Sequence, residues 1–418
     1  MTGSITLIGI GDDGCLSLTS RAMNAVAQAE LLAGATRHLH FFPQFSGEKL
    51  EFISGLNDYL SKLIEVAKTR DICVLASGDP LFFGIGKRLL TMVAAAGTNI
   101  DVEVITSPSS VQLACAKALM PSDDIKVISL HCRPMAGLVT RIQQGDNFAL
   151  MTDNEHNPVV IAQYLLDYDE TQWRLVLCEH LGGIKERIRE FSVAELAGTS
   201  TEDIESLNVL LLQRQEQPYW GGLAMHCPDS SYEVLTPLNG LITKANIRAV
   251  VVARLALTPK SVMWDIGSAS GSIAIEAAKQ AWDGSVYALE CNPECVPVIQ
   301  QNKQGHRVDN LTLIETKAPL GLADLPAPDA VFVGGSRGQI KGIVAEVMSR
   351  LTPGGKLILS AVTLDSVSEF FELCKSNKYI YEVMMLQSSV SQPLAHYQRY
   401  QAENPIHLFV ITKEGNNT

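Results

Sequence analysis

Short apolar runs recur along this 418-residue chain, most of them ending in glycines or small polar residues, with amphipathic stretches between them. That alternation predicts an α/β protein. The first run, 5–10, ends at Gly9-Ile10-Gly11, and Ser17-Leu18-Thr19 supplies a cap for a helix over 21–29. Gly34-Ala35-Thr36-Arg37-His38 marks the exit from a second short strand. A third runs from Ile72 into Ser77-Gly78-Asp79-Pro80, where the proline biases Asp79 toward a fixed, extended turn. The strand at 102–105 ends in Thr106-Ser107-Pro108-Ser109-Ser110 before a helix over 111–119. Two strand ends with small polar loops predict a ligand-binding edge, although plain helix capping explains the serines equally well.

A second lobe begins near Ile125, with strands expected at 147–151, 174–178 and 207–212. The pattern fails from Arg214 to Glu233, which reads as a domain junction. Alternation then resumes, with a helix over 245–257 capped by Thr243, strand 261–265, helix 272–281, strand 285–290 and helix 293–303. Strands 310–315 and 329–333, helix 338–351, strand 356–360 and helix 364–376 follow, and strands 381–388 and 406–412 close the chain as an antiparallel pair. The boundaries are a first domain over 1–214, a linker over 215–235 and a second domain over 236–418.

The most informative stretch is Asp265-Ile266-Gly267-Ser268-Ala269-Ser270-Gly271, between the strand and helix of the second domain. Glycines there let the backbone turn sharply and approach a ligand, and the helix aims unpaired N–H groups into the crevice. Dinucleotide folds place their glycines as G-x-G-x-x-G. Here an aspartate precedes a wider spacing, and Glu290 at the end of the next strand can accept both hydroxyls of a ribose.

Composition narrows the partners. A net charge of −12 argues against a dedicated nucleic-acid binder, so a polyanionic ligand would have to be held by local basic residues. The 9 cysteines are scattered, as expected of reduced core thiols in a cytoplasmic protein. Cys291 and Cys295 lack a histidine pair, so no metal site is expected. No apolar run is long enough to span a membrane.

The first half resembles the tetrapyrrole methylases, class III S-adenosylmethionine (SAM) methyltransferases, at Gly9-Ile10-Gly11, Ala76-Ser77-Gly78-Asp79-Pro80, Ser107-Pro108-Ser109-Ser110 and Ser129-x-His131-x-Arg133. The second resembles the class I decarboxylating methylases of the corrin pathway. The shared residues are Thr243-Lys244-x-x-Ile247-Arg248, the Asp265 to Gly271 turn, Ala318-Pro319, Val333-Gly334-Gly335-Ser336 and Pro353-Gly354-Gly355. The resemblance implies a two-lobed class III domain followed by a Rossmann-like class I domain. It further implies SAM in each, and two methyl transfers to precorrin-6B, at C5 and C15, with loss of the ring C acetate carboxyl. SAM would meet Thr243, Asp265, Gly267, Ser268, Ala269, Ser270, Gly271, Glu290 and Ala318 in the second domain. In the first it would meet Gly9, Gly78, Asp79, Ser109, Ser110 and Thr152.

Lys244, Arg248, Arg337, His131 and Arg133 are the candidates for substrate carboxylates, a solvated turn being the alternative for His131 and Arg133. Departures from the pattern are Ala269 for a glycine, tolerable at negative φ; Lys317 for an acid before Ala-Pro; Asp12-Asp13 for Pro-Gly; and Cys132 for a glycine after His131. A homo-oligomer is expected. The cobalt-containing form of the substrate stays open, as does an RNA or protein methyltransferase on the same folds.

Overall fold

The computed structural model describes residues 3–216, 224–235 and 242–415. Residues 217–223 of the expected linker lie outside the described residues, as do 236–241 at the start of the expected second domain. Two compact units divide the chain. The first comprises Met1–Arg133, Asn147–Gln163 and Thr171–Gln215; the second comprises Pro134–Asp146, Tyr164–Glu170 and Glu216–Thr418. Among the described residues no helix is long and apolar enough to cross a membrane.

The first unit holds two five-stranded sheets. One is parallel throughout and built from β1 (Ser4–Ile10), β2 (Leu31–Ala35), β3 (Glu48–Phe52), β4 (Ile72–Ser77) and β5 (Asp101–Ile105), in the order β3-β2-β4-β1-β5. β1 and β4 are central and almost wholly buried, as a parallel strand covered on both faces must be. Their ends, at Ile10 and Ser77, stand side by side. Thr19 caps the first helix as its spacing predicts, its hydroxyl accepting from Ala22 N. The other sheet is mixed: β6 (Lys126–Ser129), β7 (Asn147–Met151), β8 (Trp173–Glu179), β9 (Arg187–Ser192) and β10 (Asn208–Arg214), ordered β6-β7-β10-β8-β9. β9 escapes a reading by hydrophobicity because it is an edge strand whose Arg187 and Arg189 both turn onto the buried Glu179.

In the second unit, β11 (Val262–Ile266), β12 (Ser285–Glu290), β13 (Leu311–Glu315), β14 (Ala330–Val333), β15 (Lys356–Ala361), β16 (Ile380–Leu386) and β19 (Ile406–Thr412) form one sheet. Its order is β13-β12-β11-β14-β15-β19-β16, with β19 antiparallel to both neighbours. The chain leaves β11 toward β12 on one side and reaches β14 on the other, so a crevice opens where the strand order reverses. Between β16 and β19 the chain inserts a hairpin, β17 (Ser389–Leu394) and β18 (Tyr397–Ala402), that the sequence does not betray. Every residue of it is exposed, so it carries no alternation of buried and polar positions.

Two expectations for the helix Ala245–Arg254 are corrected. Lys244, not Thr243, occupies its cap position, and no side chain caps it. Arg248 does not face a ligand. It is fully buried, and its guanidinium donates to Glu276 (2.6 Å), Asp229 (3.0 Å), the Thr243 carbonyl (2.6 Å) and the Cys227 carbonyl. Glu276, also fully buried, further accepts from Cys227 N at 3.1 Å and stands 2.9 Å from His226 Nδ1. Helix Ser272–Gln280 is therefore tied through one carboxylate both to helix Ala245–Arg254 and to the segment before it.

Removing one member of such a pair strands a desolvated charge. Glu276→Ala should therefore lose about 3–5 kcal/mol in urea unfolding, whereas the double variant Glu276→Leu/Arg248→Met should lose much less. A single-variant loss below about 1 kcal/mol, or a double variant as unstable as the single, would contradict this reading.

Candidate functional sites at two sheet edges

Among the described residues, each unit has a large cavity beside the C-terminal ends of its central parallel strands. In the second unit it measures about 720 Å³ and is lined from the ends of β11, β12 and β14. The turn after β11 is possible only because Gly267 lacks a side chain. Its φ is +75°, and a Cβ there would stand 2.7 Å from the Gly335 carbonyl oxygen. Gly271, at φ +78°, begins helix Ser272–Gln280. Ala269 corrects the expectation of negative φ, since it sits at +52°. A left-handed alanine costs roughly 1–2 kcal/mol. Its amide repays part of that by donating to Glu290 at 2.9 Å.

Glu290 is the organiser of this edge. One carboxylate oxygen holds Ala269 N, and the other accepts from Cys291 N and Asn292 N, each at 2.8 Å. A carboxylate has about four acceptor positions, so one remains for a hydroxyl of a diol in the cavity, on the oxygen that holds Ala269 N. Asp265 is buried, with Oδ2 accepting from Ser268 Oγ (2.6 Å) and Ala274 N (3.2 Å), while its Oδ1 has no partner. Burial pushes its carboxyl up to about 7, against those two hydrogen bonds and with a further upward push from Glu290.

Thr243, Lys244, Ser268, Ala318 and Arg337 also line the cavity. Ser270 and Gly271 shape the turn behind it. Arg337 is exposed at the mouth, and Lys244 stands 3.7 Å from Asp229 Oδ2. Sequence reasoning missed Gln392, Gln401, Glu403 and Asn404, which the inserted hairpin and the turn after it bring to the same cavity. Only the closure of β16 on β19 places them there.

The first-unit cavity measures about 500 Å³. Gly78, Asp79, Ser109, Ser110, Met151 and Thr152 line it. Gly9 lies behind its wall, where a Cβ would meet the Gly78 carbonyl at 2.2 Å. Asp79 Oδ1 accepts from Leu81 N at 2.8 Å, so the aspartate braces its own turn. Ser109 caps helix Ser110–Ala118 in a reciprocal box with Gln112. Thr152 donates to Asn208 Oδ1 at 2.8 Å.

His131 reaches this cavity, but Arg133, exposed two residues on, is not among its lining residues. The sequence also left Arg37, His38 and Tyr59 unassigned, although the first two stand at the marked exit of β2. Arg37 donates to Ser77 Oγ at 2.6 Å, and His38 Nε2 lies 3.3 Å from the same oxygen. Burial, with Arg37 adjacent, lowers His38 to about 4 and keeps it neutral.

Comparison with known proteins matches residues 4–197 to the tetrapyrrole (corrin/porphyrin) methylases and residues 237–413 to the precorrin methyltransferase domain. Over 365 residues the chain is 31% identical to a precorrin-6Y C(5,15)-methyltransferase (decarboxylating) from a Sinorhizobium species, covering 86% of this chain and 85% of that protein. Two shorter relatives come from Salmonella typhimurium. A cobalt-precorrin-7 C(5)-methyltransferase is 35% identical and matches 46% of this chain and 91% of its own. A cobalt-precorrin-6B C(15)-methyltransferase (decarboxylating) is 29% identical and matches 42% and 91%.

The raised Asp265 carboxyl has a measurable consequence. Between its unfolded value of 3.8 and its folded value of about 7, the native state holds a proton that the unfolded state has lost. Its contribution to stability is therefore complete below pH 4 and falls as pH rises toward 7. Urea unfolding at several pH values should show the wild type losing stability relative to Asp265→Asn across that window. Parallel curves for the two proteins would exclude a protonated Asp265.

Proposed function

This chain belongs to the precorrin-6Y C5,15-methyltransferase (decarboxylating) family, and we propose that its two units divide that reaction between them. The protein is a SAM-dependent, decarboxylating C-methyltransferase of cobalamin biosynthesis. In our reading each unit holds one SAM. Residues 236–418 methylate C15 and release the ring C acetate carboxyl of metal-free precorrin-6B, and residues 1–214 then methylate C5. The observation that carries this is the pair of separate cavities, each at glycine-bearing ends of central parallel strands. The two half-length relatives, one named for C5 and one for C15 with decarboxylation, support the division. Their substrate names support the order, since precorrin-6B precedes precorrin-7 in number.

The residues present fit SAM in the second unit. Glu290 is pre-set by three backbone N–H groups and keeps one acceptor position for a ribose hydroxyl. The Asp265 Oδ1 behind the same turn is a buried polar atom without a partner, and Ala318 offers an apolar surface for the adenine. In the first unit Gly78, Ser109, Ser110 and Thr152 offer small polar walls with no bulk to displace. SAM supplies a methyl group that is already strongly electrophilic.

The protein's own part is alignment and exclusion of water, and holding reacting atoms in line can contribute ~7–11 kcal/mol. Arg337 and Lys244 in the second unit and His131 in the first, which line the cavities, would hold acetate and propionate groups. In the decarboxylation the C–C bond electrons pass into the conjugated macrocycle as carbon dioxide leaves, and a proton taken up from solvent by the former acetate carbon completes a methyl group, so no side-chain nucleophile is required.

Mass spectrometry of products from metal-free precorrin-6B tests the scheme. The wild type should add two methyl groups and lose one carbon dioxide. Gly9→Ala, which crowds the first cavity, should add one methyl and lose carbon dioxide. Gly267→Ala, which crowds the second, should leave the substrate unchanged yet methylate the product of Gly9→Ala. Two methyl additions by Gly9→Ala would sink the division of labour, and a methyl added to precorrin-6B by Gly267→Ala would sink the order. Turnover confined to cobalt-loaded substrate would replace the metal-free reading with its cobalt counterpart.

A further inference from the structure

We propose that His131, Cys132 and Asp153 form a binding site for a borderline transition-metal dication, of which Zn²⁺ is the probe, at the rim of the first-unit cavity. Their ligand atoms all lie within 4.8 Å of one another. Tetrahedral ligation at about 2.0–2.3 Å sets donors roughly 3.5 Å apart, so small side-chain rotations close the site. His131 and Cys132 are exposed and free to make them.

Asp153 is the fixed member. Its Oδ2 accepts from Cys132 N at 2.8 Å and its Oδ1 from His156 N at 2.7 Å, and the His156 ring stands 3.3 Å from Oδ1. Both carboxylate oxygens keep a lone pair beyond these bonds. Such outer contacts orient a ligand before the metal arrives.

Two observations set Cys132 apart from the other thiols. Of the 9 free cysteines it is the exposed one; the others are buried or half-buried. It also holds φ +53°, a left-handed conformation that a glycine would take without cost. A thiol is thus presented to solvent, at a conformational cost, beside an imidazole and an oriented carboxylate.

The donor set selects the ion. One nitrogen, one sulfur and one oxygen suit Zn²⁺ or Co²⁺, whereas Mg²⁺ and Ca²⁺ require oxygen throughout. Three protein ligands leave a fourth position open. His131 lines the cavity, so that position can take a carboxylate of the macrocycle; this last step alone rests on the function proposed above. The sequence hides the site because Asp153 lies a strand and a helix away from His131-Cys132.

Co²⁺ titration of the purified full chain, without substrate, provides the test. One equivalent should produce thiolate-to-cobalt charge-transfer absorption that Zn²⁺ abolishes. Cys132→Gly, which relieves the left-handed strain and should fold at least as well by urea unfolding, should lose the band. Asp153→Asn, which keeps an acceptor for Cys132 N, should weaken Co²⁺ binding on the order of tenfold or more. Absence of the band in the wild type would overturn the proposal. So would a band that survives in Cys132→Gly, because another cysteine would then be the ligand.

Discussion

Both cavities depend on two backbone turns crossing more closely than a side chain allows. In the first unit Gly9 passes the turn at Gly78 and Ser107, where a Cβ would lie 2.2 Å from a carbonyl oxygen and 2.8 Å from an amide nitrogen. In the second, Gly267 passes Gly335 with a Cβ clearance of 2.7 Å. Distances under 3.0 Å between a Cβ and backbone atoms leave no room for rearrangement short of moving a strand. The two sheets differ in strand order, and only the second takes antiparallel strands, yet each opens its crevice in the same way. Close approach brings backbone N–H groups and short polar side chains to one edge, and the adjoining helices add unpaired amides there.

Charge is distributed with the same economy. The chain carries a net charge of −12, which disfavours a polyanionic macrocycle at long range. Cations near the second cavity fall into two kinds that a sequence cannot separate. Arg248 is desolvated and fully committed to Glu276, Asp229 and two carbonyls, so its charge is cancelled within the core. Arg337 is open to solvent at the cavity wall, where a carboxylate can reach it without breaking a buried network, and Lys244, half-buried on the same wall, is held among the described residues only by its 3.7 Å contact with Asp229.

Much of the framework was legible because it follows from period and punctuation. The central parallel strands are short apolar runs ending in glycines, and the Asp265 to Gly271 turn with Glu290 announces its own geometry. What stayed hidden depends on contacts made far along the chain. β9 is charged because Glu179 lies beneath it, and β17 with β18 has no buried face to mark it. Arg248 reads as a surface cation until Glu276 is seen one helix away. Ala269 shows the limit from the other side. A residue that disfavours positive φ adopts it anyway, since Glu290 and the flanking glycines determine where the amide must point.

The Arg248–Glu276 pair carries an implication for how such a chain can change over generations. Well-packed apolar residues in place of a buried ion pair are often no worse, and sometimes better, for stability. Either half of that exchange alone leaves a stranded charge in the core. A lineage moving from the charged to the apolar solution must therefore cross a deep fitness valley two substitutions wide. The pair can persist through the inaccessibility of its alternatives, with no advantage over them. Its persistence among relatives would then record the route by which the core was assembled, and would say nothing about methyl transfer.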